Sequence, residues 1–171
     1  MTAGPRSWLI LGGARSGKTS RALAIGASFA QRIYIATAEA LDAEMAERIG
    51  RHRAERAGAW ETLEAPLALP AAIAGIASRD AVCVVDCLTL WLSNLMAAGR
   101  DVDAEGASLC DAIRAAQSSI VLVSNEVGLG LVPETPLGRA FRDHQGRLNQ
   151  RVAAVADQVE FVAAGLPLRL K

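Results

Sequence analysis

Residues 12–19 read Gly12-Gly13-Ala14-Arg15-Ser16-Gly17-Lys18-Thr19, a glycine, four residues, a second glycine, a lysine and a hydroxyl. That order suits a bound triphosphate. Glycines let the chain curl so that successive N–H groups point inward, and the lysine ammonium reaches the β- and γ-phosphates while the hydroxyl meets Mg²⁺. The context agrees, because an apolar run at 8–11 precedes the loop and an Ala-rich, helix-favouring stretch at 20–30 follows it. A glycine turn that merely carries a lysine has no need of that strand and helix. A second acid belongs with the loop: Asp86 ends the apolar run 81–86. Such an acid either holds Mg²⁺, usually through water, together with Thr19, or caps the following helix.

His52 is one of two histidines and lies among Arg48, Arg51, Arg53 and Arg56. Clustered cations suit anionic phosphate and keep a neighbouring imidazole neutral and nucleophilic. Leu41, Met45, Ile49 and His52 also recur at spacings of four, four and three, so a packed or capping histidine is the competing reading. His144, in the polar run 142–145, reads as part of a solvated helix face. Asn125 and Glu126 end an apolar run beside Gly128 and Gly130, where substrate contact and turn chemistry are equally open. Cys83, Cys87 and Cys110 lack metal-binding spacing and read as reduced, structural thiols.

The elements that must position these residues follow a strand–helix alternation. Strands are expected at 8–11, 32–37, 60–64, 81–86 and 119–124. A closing pair is expected at 159–163 and 166–170, and helices at 20–30, from 39, at 66–77, 88–98, 104–117 and 137–156. The last helix is expected to turn its Arg and Gln residues to solvent. Of the 171 residues 51% are hydrophobic but only 4% aromatic, which suits aliphatic parallel strands under Ala-rich helices. An α/β domain spanning 1–171, with no linker or repeat, is the expectation. The 18 basic and 18 acidic side chains cancel. No nucleic-acid or anionic membrane partner is therefore indicated. With no long apolar run and no signal-like start, membrane insertion is not expected and the cytoplasm is the expected location.

In order along the chain, the blocks resemble the bifunctional adenosylcobinamide kinase/adenosylcobinamide-phosphate guanylyltransferase family of cobalamin biosynthesis. They are the glycine loop 12–19, Tyr34-Ile35-Ala36-Thr37-Ala38, Asp42-Ala43-Glu44-Met45, Arg48-Ile49, His52-Arg53, Trp60-Glu61-Thr62-Leu63-Glu64, Val85-Asp86-Cys87-Leu88-Thr89, Asn94-Leu95, residues 124–134, Phe141-Arg142-Asp143 and residues 146–151. The resemblance implies a RecA-like P-loop fold and two reactions. ATP or GTP phosphorylates the aminopropanol hydroxyl of adenosylcobinamide; GMP from GTP is then joined to that phosphate through a guanylylated histidine, releasing pyrophosphate. It implies His52 as that nucleophile, although some members carry a histidine where Arg51 stands. It further implies Lys18 in catalysis, nucleotide contacts at residues 12–19, Ala36, Thr37, Ala38, Arg53, Glu64 and Asp86, Mg²⁺ on Thr19 and Asp86, and a homotrimer. Two rivals remain: a monofunctional P-loop small-molecule kinase and a RecA-like ATPase module. The missing basic, aromatic-studded stretch weighs against the second.

Overall fold

A computed structural model describes residues 5–39, 50 and 58–171. Ser7–Gly12 forms β1, Lys18–Gly26 α1 and Gln31–Ala36 β2. Glu61–Glu64 forms β3, Leu69–Ala74 α2, Ala81–Asp86 β4 and Leu88–Ala97 α3. Val102–Ala115 forms α4, Ser119–Asn125 β5 and Pro136–Val155 α5. Gln158–Ala163 and Leu166–Arg169 form β6 and β7. The seven strands make one sheet in the order β3-β2-β4-β5-β1-β6-β7. Every neighbouring pair from β3 to β6 is parallel, and only β6 and β7 are antiparallel. Ala164 and Gly165, with φ of 51° and 80°, make the two-residue turn between them; positive φ at both positions matches the twist of a tight hairpin.

The central strands are apolar on both faces because both are covered. Leu9, Ile33, Ile35, Cys83, Val85, Ile120 and Leu122 pack on one side with Leu69, Trp91, Leu95, Leu109 and Leu148 from α2 to α5. Ile10, Tyr34, Val82, Val84, Val121 and Val123 face the other side, where α1 contributes Ala22. Fully buried side chains such as Leu9, Leu92 and Leu122 each contribute about 1.5–3 kcal/mol of burial free energy. The most deeply buried strands therefore lie directly beneath the loops that leave the C-terminal ends of β1, β4 and β5.

Most expected elements are present, with shifted ends. The helix expected at 20–30 stops at Gly26, where an added Cβ would lie 2.4 Å from the Trp60 ring. That expected at 66–77 begins only at Leu69, with Pro70 in its first turn. The helix expected from 104 starts at Val102, because the Asp101 carboxylate accepts from the N–H groups of Asp103 and Ala104 at 3.0 Å. The expected solvated Gln face of α5 needs the largest correction. Gln145 is fully buried and Asn149 nearly so, because both are drawn into polar contacts with β5. The helix expected from 39, with His52 at its end, lies outside the described residues. Cys83, Cys87 and Cys110 are free and buried, as expected.

Candidate nucleotide and transferase site

The loop between β1 and α1 closes on itself. The Ser16 N–H donates to the Gly13 carbonyl at 3.3 Å, and the Lys18 ammonium to the same carbonyl at 2.6 Å. Arg15 has φ of 55° and Gly17 of 98°, so the backbone turns through left-handed conformations before entering α1. From the far edge of the sheet the hairpin turn braces the loop, the Gly165 N–H donating to the Ser16 carbonyl at 2.8 Å. Arg21 in α1 forms two bonds to Glu160 in β6, at 2.7 and 2.8 Å, and this hydrogen bonding holds the Glu160 carboxyl below its ordinary range. Loop, helix and β6 are thus one assembly.

Gly12 has no room for a side chain, since a Cβ there would lie 2.4 Å from the Val162 carbonyl oxygen and 2.6 Å from Ser16 Oγ. The carbonyl is backbone and cannot rotate away. Gly12→Ala is expected to cost about 1–3 kcal/mol by overpacking and to weaken nucleotide binding, read as a lowered urea midpoint together with a raised nucleotide Kd.

Asp86 lies across from the loop. Its Oδ2 accepts from Thr19 Oγ1 at 2.9 Å and from the Tyr34 hydroxyl at 2.8 Å. Helix capping, the competing role, is not what Asp86 does: Cys87 is the N-cap residue of α3 and no side chain caps that end. A hydroxyl and a carboxylate meeting at one point are hard oxygen donors of the kind that Mg²⁺ takes. Among the described residues no group of three or more His, Cys, Asp or Glu side chains is placed to hold a metal.

The row of residues at the C-terminal edge brings further expected positions together. Ala36 registers with Glu64 on one side and Asp86 on the other. Thr37 follows, fully buried, with its hydroxyl donating to the Cys87 carbonyl at 2.7 Å and accepting from the Cys87 N–H at 2.8 Å. Its side chain therefore fixes the turn after Asp86, whose peptide bond to Cys87 is cis. Asn94 Nδ2, from α3, donates to the carbonyls of Thr37 and Pro66 at 2.8 and 3.0 Å, tying the ends of β2 and β3 together. Ala38 is half-buried and Glu64 exposed on the same edge. Burial pushes the Cys87 thiol up to about 11, with Asp86 adding to the effect. A neutral thiol is a poor nucleophile, so the cysteine nearest the acid is structural.

Asn125 and Glu126 stand between the loop and Asp86, because β5 separates β1 from β4. Asn125 registers with Gly12, and the Glu126 N–H donates to the Gly12 carbonyl at 3.1 Å. Two side chains hold this strand end. Thr89 Oγ1 accepts from the Asn125 N–H at 2.9 Å, and Asn149 Nδ2 donates to the Asn125 carbonyl at 3.1 Å. Behind them the Ser124 hydroxyl meets Asn149 Oδ1 at 2.6 Å, while Gln145 Nε2 donates to both, at 2.9 and 3.0 Å. Sequence reading gave Thr89 and Asn149 no site role and placed Gln145 on a solvated helix face. The signal available was a hydroxyl and two amides four residues apart on helices that otherwise pack apolar residues. His52 and Arg53 lie outside the described residues.

A family model described as cobinamide kinase / cobinamide phosphate guanyltransferase matches residues 8–170. The chain belongs to that family. It is a bifunctional enzyme with cobinamide kinase and cobinamide phosphate guanylyltransferase activities. It is 46% identical over 166 residues to the bifunctional adenosylcobalamin biosynthesis protein CobP of Pseudomonas aeruginosa, covering 95% of this chain and 96% of that one. It is 39% identical to CobU of Salmonella typhimurium and 38% to CobU of Escherichia coli, each over 178 aligned positions covering 95% of this chain and 98% of theirs. Among solved structures it is similar to the P4 protein of bacteriophage phi6 bound to ADP, with a TM-score of 0.52 and 16% identity. An ATPase of a type III secretion system matches with a TM-score of 0.57 and 14% identity. These matches cover 98% of this chain and 58% and 57% of the respective partners. Identity that low speaks only to the fold, a RecA-like P-loop architecture. No helix of the described residues is long and apolar enough to cross a membrane.

Proposed function

We propose that one P-loop site in a single domain serves both family reactions on adenosylcobinamide within adenosylcobalamin biosynthesis. ATP or GTP acts in the kinase step and GTP in the guanylyl transfer. The observation that carries this reading is the meeting of Thr19 and Asp86 at 2.9 Å beside the phosphate loop. The loop N–H groups and Lys18 bind the phosphates, and Arg15, exposed at the loop's crest, lies open to the same anion. Thr19, and Asp86 through water, would hold Mg²⁺, which would supply charge neutralisation on the phosphate oxygens. Ala36, Thr37 and Ala38, Arg53 and Glu64 complete the nucleotide contacts.

His52 attacks the α-phosphorus of GTP, pyrophosphate leaves, and the phosphate of the acceptor then displaces the histidine. The working form is a homotrimer in the cytoplasm; three free cysteines suit a reducing compartment. The site is tested by Asp86→Asn. If Asp86 serves the metal, the variant binds nucleotide in EDTA like the parent, but its Mg²⁺ half-saturation for both reactions rises by about tenfold or more, the loss of one charge-assisted metal contact. An unchanged Mg²⁺ requirement would remove Asp86 from the metal site.

A further inference from the structure

The two reactions of this enzyme differ in what their acceptors require. In the kinase step the acceptor is a neutral hydroxyl, whose proton must leave as oxygen attacks phosphorus. In the transferase step the acceptor is a phosphate already ionised at neutral pH, and no proton has to be removed. A base is therefore needed by one reaction and not by the other.

Among the described carboxylates on this edge of the sheet, several are already committed. Asp86 accepts from Thr19 and Tyr34, and Glu160 is paired with Arg21. Glu64 ends β3, four strands away from β1 in the sheet order. Glu126 differs in place and in bonding. Its N–H is bonded to Gly12 at the start of the phosphate loop, and the backbone of the preceding residue is clamped by Thr89 and Asn149. One carboxylate oxygen, Oε1, accepts from the Gly128 N–H at 2.6 Å. That bond orients the group and leaves Oε2 to receive a proton. Gly128 is matched to this arrangement, since a Cβ there would lie 2.8 Å from Oε1. The loop beyond, with Leu129, Leu131 and Val132 exposed by 82%, 96% and 65%, leaves this side open to a bulky acceptor.

We propose that Glu126 is the general base of the kinase step. Its Oε2 takes the acceptor hydroxyl proton as that oxygen bonds to the γ-phosphorus. The bond from the γ-phosphorus to the β,γ-bridging oxygen breaks, the nucleoside diphosphate leaves on Lys18, and the proton passes from Glu126 to solvent.

The test measures both half-reactions separately, phosphorylation of cobinamide and guanylyl transfer from GTP to cobinamide phosphate supplied ready-made. Glu126→Gln is expected to lower kinase kcat by about a hundredfold, with the nucleotide KM changed by less than about threefold and guanylyl transfer falling by no more than that. Guanylyl transfer also reports that the variant is folded. In Glu126→Ala, added formate is expected to restore part of the kinase rate and none of any transferase deficit. Parallel loss of both reactions, undiminished kinase activity, or a kinase defect that formate leaves untouched would each overturn the assignment.

Discussion

Lys18→Ala is expected to abolish both activities together. Lys18 is 8% exposed and sits where β1 hands over to α1, with its ammonium on the Gly13 carbonyl. Kinase and transferase chemistry both leave charge on the phosphate oxygens beyond the bond that breaks, a γ-phosphoryl transfer in one case and a pyrophosphate departure in the other. If one loop serves both, removing its cation withdraws a preorganised contact from both transition states, and each rate falls by about 10²–10³-fold. Lys18→Arg is not expected to rescue, because a planar guanidinium is bulkier than the buried point charge it replaces. The effect on folding is smaller, since the hydrogen bond to the Gly13 carbonyl contributes about 0.5–1.5 kcal/mol. Separate assays of the two reactions check this, with a thermal melt as control. Loss of one activity alone would mean that two nucleotide sites exist.

His52→Ala is expected to do the opposite and separate them. A nucleophile that carries GMP is indispensable to the transferase and irrelevant to γ-phosphoryl transfer. Guanylyl transfer should therefore drop by about 10³-fold or more, while the kinase rate stays within a few-fold. The second histidine is not expected to substitute: His144 lies on α5, with its ring 3.4 Å from an Arg147 nitrogen. Burial keeps the thiols of Cys83 and Cys87 protonated, pushed up to about 12 and 11, so neither replaces the imidazole at neutral pH. Accumulation of cobinamide phosphate in the variant is the product to measure.

The glycine loop between β1 and α1 was legible because its residue types stand at fixed spacing between a strand and a helix, and because glycine is forced where backbone crowds backbone, as at Gly12 against Val162. Asp86 was legible as an acid at the end of an apolar strand, but only the folded chain shows Thr19 and Tyr34 converging on one of its oxygens. Gln145 was misread, and Asn149 given no role, for a physical reason. Gln145 and Asn149 follow Arg142 and Asp143 in a run whose composition looks solvated, and their burial is decided by Ser124, some twenty residues away. The same limit applies to Thr37, whose hydroxyl is engaged by Cys87 at the end of the neighbouring strand. Long-range polar pairing leaves no local periodicity, whereas apolar alternation does. The shifted start of α4 has a local signal, Asp101 two and three residues ahead of the N–H groups it caps.

The most direct test of a shared phosphate site working through His52 is covalent trapping. The protein is incubated with Mg²⁺ and GTP labelled with ³²P at the α-position or at the γ-position, then denatured and freed of nucleotide. Acid-labile, alkali-stable label from α-labelled GTP alone, absent from His52→Ala, is the predicted result. An unlabelled wild-type protein, or label that survives in His52→Ala, would contradict it.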